Sequence, residues 1–251
     1  MLTRLMAAGL LAGVVSGLFV SGMQQVTTVP LILQAEAYER AGAKPATLEH
    51  SFLTPNVDAR LVLVHGDAHT EGDGAPASGT SAWVPADGFE RTAATTVATV
   101  GTAAGFALML LALMLASGAE ITARTATLWG VAAFFATGMA PGLGLPPELP
   151  GSAAAELMPR QLWWVATAAA TAAGMWLLFR TTGPARLAAG IVLIMAPHLI
   201  GAPHPSAFTS TAPAELAGHF TSASLAVHAV LWVLVGATSG YFWQRFNSTQ
   251  T

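Results

Sequence analysis

The sequence has no cysteine and very little charge. Of its 251 residues, 9% are Asp, Glu, Lys or Arg and 53% are hydrophobic. Soluble domains carry about 25% charged residues, which cover the surface that faces water. The scarcity of charge therefore predicts an integral membrane protein. The absence of cysteine excludes disulfide frameworks, iron–sulfur clusters and cysteine zinc sites, so His, Asp, Glu and Met are the candidate side-chain ligands for a metal.

Basic residues are also scarce, which excludes further classes. Lys44 is the only lysine and Pro45 follows it, so the sequence contains no nucleotide-binding loop of the GxxxxGKS/T type. The net charge is −3 and the basic residues are not clustered, which argues against a nucleic acid partner. No nucleophile with a matching base and acid is evident, and the apolar segments hold no paired carboxylates, which argues against an enzyme.

The sequence does contain long stretches without charged residues. A membrane-crossing helix needs roughly 20 mostly apolar residues. We predict an all-α integral membrane protein with a single membrane domain over residues 1–251, folded as a compact bundle of about six transmembrane helices. The fifth is the weakest, because Pro197 lies within it, so five spans with a half-crossing fifth segment is the alternative. The predicted helices are 5–29, 92–117, 124–143, 161–180, 185–201 and 221–243.

Residues 36–91 are rich in Gly, Pro, Ser and acidic side chains and show no sustained period. They predict a long, partly disordered extramembrane loop between the first and second helices. Arg180 and Arg186 flank a short connection, and basic residues in short loops favour the cytoplasmic side. We therefore expect both termini to be cytoplasmic. All seven histidines then lie in outer loops or in the outer halves of helices.

Small residues recur at four-residue spacing and predict close helix packing. In the first helix they form one smooth face that continues outward as polar side chains, ending at Gln24 and Thr28. Similar glycine pairs occur in three later helices. The small residues are Gly9, Gly13, Gly17 and Ser21, and the pairs are Gly101 with Gly105, Gly138 with Gly142 and Gly236 with Gly240.

Two proline-bounded segments carry candidate metal ligands. His198 and His204 lie within PHLIGAPHP, whose prolines are expected to prevent a continuous helix and to hold both imidazoles on irregular backbone. Glu148 lies in the proline-rich segment 141–151. If the two segments pack together, one carboxylate and two imidazoles converge. The alternative is an ordinary exit loop whose histidines face water.

Further candidate ligands lie within the membrane and in the long loop. His228 is expected about 13 Å deeper than His219 along the last helix, and a titratable group at that depth indicates a functional site. The alternative is a structural hydrogen bond, for example to Gln24. His65 and His69 predict at most a weak site for capturing a divalent cation, and chance proximity explains them almost as well.

Distinctive segments follow one another along nearly the whole chain. They are LTRLMAAGLLAGVVSGLFVSGMQQVTTVPLILQAEAYE, WVPADGFERT, GLGLPPELPG, MPRQLWW, PHLIGAPHP, PAELAGHF and GATSGYFWQRF. In this order they resemble the CbtA family of proposed cobalt transporter subunits. The resemblance implies a membrane protein that takes up cobalt for cobalamin synthesis with a small single-span partner, CbtB, that has a histidine motif. His198, His204 and Glu148 lie inside the matching segments, whereas the histidine tract of the first outer loop is reduced to His65 and His69.

The sequence thus predicts a multi-pass subunit of the bacterial inner membrane for inward transport of a divalent transition metal, Co²⁺ or alternatively Ni²⁺, with no resident cofactor. A membrane potential of 100 mV, negative inside, favours entry of a divalent ion by about 4.6 kcal/mol, so a nucleotide site is not required. The other prediction is a scaffold that holds a partner subunit. The expected partners are the metal ion, the lipid bilayer and a CbtB-like subunit, and a homo-oligomer is left open.

Overall fold

The computed structural model describes residues 1–42, 85–180 and 182–248, and these are almost entirely helical. A π-helical turn, Phe135–Met139, joins the helices Ala123–Phe134 and Ala140–Gly144 into one continuous rod. The helices are α1 (Leu2–Val26), α2 (Thr28–Gly42), α3 (Phe89–Ala116), α4 (Ala123–Phe134), α5 (Ala140–Gly144), α6 (Leu157–Arg180), α7 (Pro184–Ile200) and α8 (Ala214–Asn247).

Five of the described helices are long and apolar enough to cross a membrane. They are Leu2–Val26, Phe89–Ala116, Ala123–Gly144, Leu157–Arg180 and Ala214–Asn247. The prediction of an all-α membrane protein is therefore confirmed. The shorter α7 has 17 residues, and at 1.5 Å per residue it extends about 25 Å, less than the roughly 30 Å of a hydrocarbon core.

The first apolar stretch forms two helices, where the sequence predicted one over 5–29. The break follows from Pro30, because proline has no N–H to donate to the carbonyl of Val26 one turn earlier. The chain resumes as α2 with Pro30 in its first turn, a position where proline is tolerated. Helix α2 continues to Gly42, so residues 36–42 of the segment predicted as a loop are helical.

Helices α1 and α3 approach at the glycines of α1. A Cβ added to Gly13 would lie 2.2 Å from the Cα of Ala104, and one added to Gly17 would lie 2.5 Å from the Cα of Val100. Ser21 and Thr96 extend this seam through a hydrogen bond of 2.7 Å between their hydroxyls. The predicted packing face of the first helix is thus confirmed.

Helices α4 and α8 meet in the same way. A Cβ on Gly236 would lie 2.4 Å from the carbonyl oxygen of Ala126, and one on Gly240 would lie 2.3 Å from that of Thr122. By contrast, Gly101 has open space where a Cβ would stand, as does Gly105. The packing expected at that pair is therefore not found within the described part of the chain.

The end of the bundle formed by segments 145–156 and 201–213 is named here the loop-rich end. The two segments are joined by an isolated bridge between Ser152 and Ser210 and by a hydrogen bond of 2.8 Å from the Ala153 amide to the Thr209 carbonyl. A small apolar cluster of Ala35, Leu149, Ala212 and Leu216 fastens α2 and α8 to this end. The loop-rich end is thus attached to the same helices that enclose the polar site described next.

Candidate functional site

A cavity of about 490 Å³ lies between α1, α2, α3 and α8. We call it the bundle cavity. Its wall mixes aliphatic side chains with hydroxyl, amide and imidazole groups, and the exposed Ala98 and Thr102 of α3 mark an open side. The polar lining residues are Gln24, Thr28, Thr95, Thr99, Thr102, Ser224 and His228.

Helical spacing explains why these polar groups face one another. The α3 threonines at 95, 99 and 102 are separated by four and three residues, which places them on one side of the helix over about 10 Å. Ser224 and His228 share a face of α8 for the same reason. The Thr99 hydroxyl donates a 3.1 Å hydrogen bond to Oε1 of Gln24, so α3 and α1 are bonded to each other at the cavity wall.

The structure thus brings together Gln24 and His228, which the sequence had singled out. The α3 threonines were missed. Their recurrence every three to four residues was a usable signal, but they alternate with alanines in a segment otherwise typical of packing, and threonine is common where transmembrane helices meet.

His228 is held by a hydrogen bond from Trp232. The indole Nε1 of Trp232 lies 2.9 Å from Nε2 of His228 and 3.0 Å from the hydroxyl oxygen of Thr137, at the π-helical turn. Because an indole N–H can only donate, Nε2 of His228 is the acceptor, and a neutral imidazole then carries its proton on Nδ1. In this arrangement neither ring nitrogen has a free lone pair for a metal. The hydrogen bond from Trp232 gives His228 a structural role of the kind that the sequence suggested, although the partner is not Gln24. The metal-ligand role of His228 stays a prediction.

His198 does not lie on irregular backbone. Helix α7 continues through Pro197 to Ile200 and ends at Gly201, whose φ of 91° favours glycine. The prediction is therefore wrong for His198, because a proline in the last turn removes only one internal hydrogen bond, whereas His204 does lie on the irregular backbone that follows α7. Trp163 donates to the Pro197 carbonyl at 3.3 Å, and its ring meets the His198 imidazole edge to face at 6.0 Å.

His204 and Glu148 have separate local partners at the loop-rich end. The exposed His204 places Nδ1 3.2 Å from the Pro205 carbonyl and its ring 6.0 Å from that of Phe208. Glu148 accepts a hydrogen bond of 3.0 Å from Arg160. The two proline-bounded segments do meet, because a Cβ on Gly144 would lie 2.8 Å from the Cβ of Ala202.

The expected convergence of one carboxylate with two imidazoles is not found. Within 1–42, 85–180 and 182–248, no group of three or more His, Asp or Glu side chains is placed to hold a metal ion. His65 and His69 lie outside the described residues. The assignments of His198, His204 and Glu148 as ligands therefore stay predictions.

Comparison with known proteins places the chain in a family. No curated protein and no solved structure matches it. The family model described as "Probable cobalt transporter subunit (CbtA)" matches residues 2–244, nearly the whole chain. The resemblance inferred from the sequence segments is thereby confirmed. This multi-pass membrane protein belongs to the CbtA family of probable cobalt transporter subunits.

Proposed function

We propose that this chain is the membrane subunit for inward transport of a divalent transition metal, Co²⁺, destined for cobalamin synthesis. The observation that carries the proposal is the bundle cavity, a space of about 490 Å³ between helices whose lining includes seven polar side chains. Polar groups within a membrane protein are costly unless they serve packing or a transport path. Membership in a family of cobalt transporter subunits favours the transport path.

We further propose that the chain lies in the bacterial inner membrane with both termini cytoplasmic and the loop-rich end outside. Support comes from the opposite end, which carries Arg4, Arg124, Arg180 and Arg186, in line with the tendency of short cytoplasmic segments to be basic. The outer position gives His198 and His204 a role in capturing the incoming ion. The membrane potential supplies about 4.6 kcal/mol per divalent ion at 100 mV, and no enzymatic step or resident cofactor is invoked.

The proposed partner is a single-span CbtB-like subunit. The family description names a subunit, which implies an assembly. We expect the helix of this partner to cover the open side of the bundle cavity. Thr102 is exposed on that side, at a depth where the bilayer offers no hydrogen bonds to its hydroxyl. A photo-crosslinking residue at Thr102 is expected to capture the partner, whereas one at the exposed Leu162 of α6 is not.

Radiocobalt uptake tests the proposal. Cells that lack other cobalt importers receive the chain with its partner, and uptake of ⁵⁷Co²⁺ and ⁶³Ni²⁺ is measured in parallel. Gln24→Leu and Thr99→Val are expected to lower cobalt uptake about tenfold together, since each removes one polar contact without changing side-chain volume much. His198→Ala with His204→Ala is expected to raise KM. His219→Ala, an exposed histidine that does not line the cavity, is the matched control.

Three results would contradict the proposal in different ways. No uptake in the presence of the partner overturns transport. Uptake that requires the chain but is indifferent to the cavity and histidine variants indicates the scaffold function. Faster uptake of nickel than of cobalt would show that Ni²⁺ is the transported ion in place of Co²⁺, since both metals suit imidazole and oxygen ligands.

A further inference from the structure

We propose that the bundle cavity receives the metal as its octahedral aqua ion, with the six inner water molecules retained, and binds it through hydrogen bonds to those waters. The proposal rests on the transport function proposed above and concerns the same cavity. It follows from the chemistry of the lining side chains and from the size of the space.

The donor set does not suit a bare divalent ion. The described residues that line the cavity include no Asp or Glu, and their polar groups are the hydroxyls of Thr and Ser, the amide of Gln24 and the imidazole of His228. The Nε2 lone pair of His228 already accepts the Trp232 indole N–H at 2.9 Å. An ion stripped of water in a low-dielectric interior needs charged or strongly donating ligands to offset its lost hydration. Neutral hydroxyls do not meet that requirement.

The same groups do suit metal-bound water. A water molecule bound to a divalent cation is polarised and acts mainly as a hydrogen-bond donor, so it seeks acceptor oxygens. The Thr, Ser and Gln side chains offer such oxygens from three helices, with Gln24 on α1, Thr95 and Thr99 on α3 and Ser224 on α8. The Gln24 carbonyl oxygen uses one acceptor position for Thr99 and has a second one available.

The cavity is large enough for a hydrated ion. Six water molecules take up roughly 180 Å³ at the volume that each has in the liquid. The cavity measures about 490 Å³, so the aqua ion fits with space for movement between the walls. A site built to strip and ligate the ion would instead be expected to close around it with only a few protein ligands at bonding distance.

Competition with an inert mimic tests the proposal. Hexaamminecobalt(III) is an octahedral complex of similar size that presents N–H donors and does not exchange its ligands. Purified protein with its partner is reconstituted in liposomes, and ⁵⁷Co²⁺ uptake is measured with and without the complex. We expect competitive inhibition that raises KM severalfold, and we expect Gln24→Leu with Thr99→Val to weaken the inhibition about tenfold. Ser222→Ala, which removes an exposed hydroxyl from α8 outside the cavity, is the control, and spermidine controls for the charge of the complex.

X-ray absorption of the cobalt-loaded His198→Ala/His204→Ala protein, which lacks the two imidazoles proposed to capture the ion outside the cavity, gives a readout that does not depend on transport. We expect a first shell of oxygens without the outer-shell scattering of imidazole. Imidazole scattering, or uptake that hexaamminecobalt(III) does not inhibit, would overturn the proposal that the cavity binds the hydrated ion. Either result would leave the proposed transport function standing. An absence of uptake by the reconstituted protein overturns the proposed function itself, and the inference falls with it. Thr99→Ser is included to confirm that the loss in Thr99→Val arises from the hydroxyl and not from misfolding.

Discussion

The bundle cavity and the loop-rich end both contain residues predicted as metal ligands, but the two regions satisfy their polar groups in opposite ways. In the cavity, Thr99 bonds to Gln24 of another helix, and the Trp232 indole that holds His228 one turn away also bonds to Thr137 of the π-helical turn. At the loop-rich end, Glu148 pairs with Arg160 and His204 contacts its neighbour Pro205. Bilayer provides no hydrogen bonds, so polar groups at depth must find partners on other helices, whereas water serves exposed loops. The polar contacts of the cavity therefore depend on helix packing much more than those of the loop-rich end do.

The largest effect is expected where the packing of α1 on α3 is broken. In Gly13→Val the first added carbon would lie 2.2 Å from the Cα of Ala104, a backbone atom that cannot move aside. Overpacking of a core costs about 1–3 kcal/mol and sometimes more, so we expect a clear loss of thermal stability and of monodisperse protein in detergent. Gly101→Val is the matched control, since nothing lies within 4 Å of its Cβ position. Equal losses in both variants would contradict the packing argument.

A smaller effect is expected from the indole that holds His228. Trp232→Phe removes the donor to both His228 and Thr137 and leaves a ring that can still stack on Phe106, now 4.6 Å away between centroids. Leaving a buried acceptor unpaired costs about 1–3 kcal/mol, and because His228 and Thr137 are partly buried we expect a loss toward the lower end of that range. Trp163→Phe in α6, next to the loop-rich end, removes one longer bond of 3.3 Å to Pro197. Unfolding in detergent should therefore show a larger loss for Trp232→Phe, and the reverse order would weaken the contrast between the regions.

The sequence could anticipate the cavity better than the loop-rich end for a physical reason. Side chains on a helix repeat every three to four residues, so the helical period alone is enough to place Gln24 and His228 each on an inward face. The pairing of Glu148 with Arg160 depends instead on a turn at Gly151, with φ of 76°, and on the bridge from Ser152 to Ser210. Those contacts are distant in sequence and have no period to reveal them.

Prolines were the other source of error. Pro197 was expected, together with the prolines after it, to place His198 on irregular backbone and instead lies within the last turn of α7, whereas Pro30 coincides with the break between α1 and α2. Each proline removes one backbone N–H donor. Whether the helix continues or breaks there depends on contacts with neighbouring residues. Trp163 bonds to the Pro197 carbonyl and fastens the end of α7 to α6.

A pH-dependent effect is expected where α2 is tied to α3. Arg91 donates to both carboxylate oxygens of Glu36, and this hydrogen bonding lowers the pKa of Glu36. A carboxyl whose pKa is lower in the folded state stabilises the fold above its unfolded pKa of about 4.3 and loses that contribution as pH falls through the folded pKa. Both side chains are partly exposed, so the effect is expected to be no more than about 1 kcal/mol.

Hydrogen exchange of the α2 amides checks this prediction. Protection in α2 should fall as the pH drops below about 4.3, the ordinary pKa of a glutamate, and Glu36→Gln should remove that pH dependence while lowering protection at neutral pH. A Glu36→Gln variant that keeps the same pH profile would show that another group is responsible. Because Thr28 and Ile32 of α2 line the bundle cavity, this measurement also reports how firmly that wall is held.

The smallest effect is expected at Glu148, and it separates a structural role from a metal-binding one. The side chains of Glu148 and Arg160 are 31% and 29% exposed, and such pairs contribute about 0.2–1 kcal/mol. A double-mutant cycle with Glu148→Gln and Arg160→Gln, followed by thermal unfolding, should give a coupling in that range. If Glu148 binds the incoming ion, excess Co²⁺ will compete with Arg160 and reduce the coupling, whereas Mg²⁺ at the same concentration will reduce it less. Coupling that is identical with and without Co²⁺ would remove Glu148 from the set of candidate ligands and confine its role to holding segment 145–156 against α6.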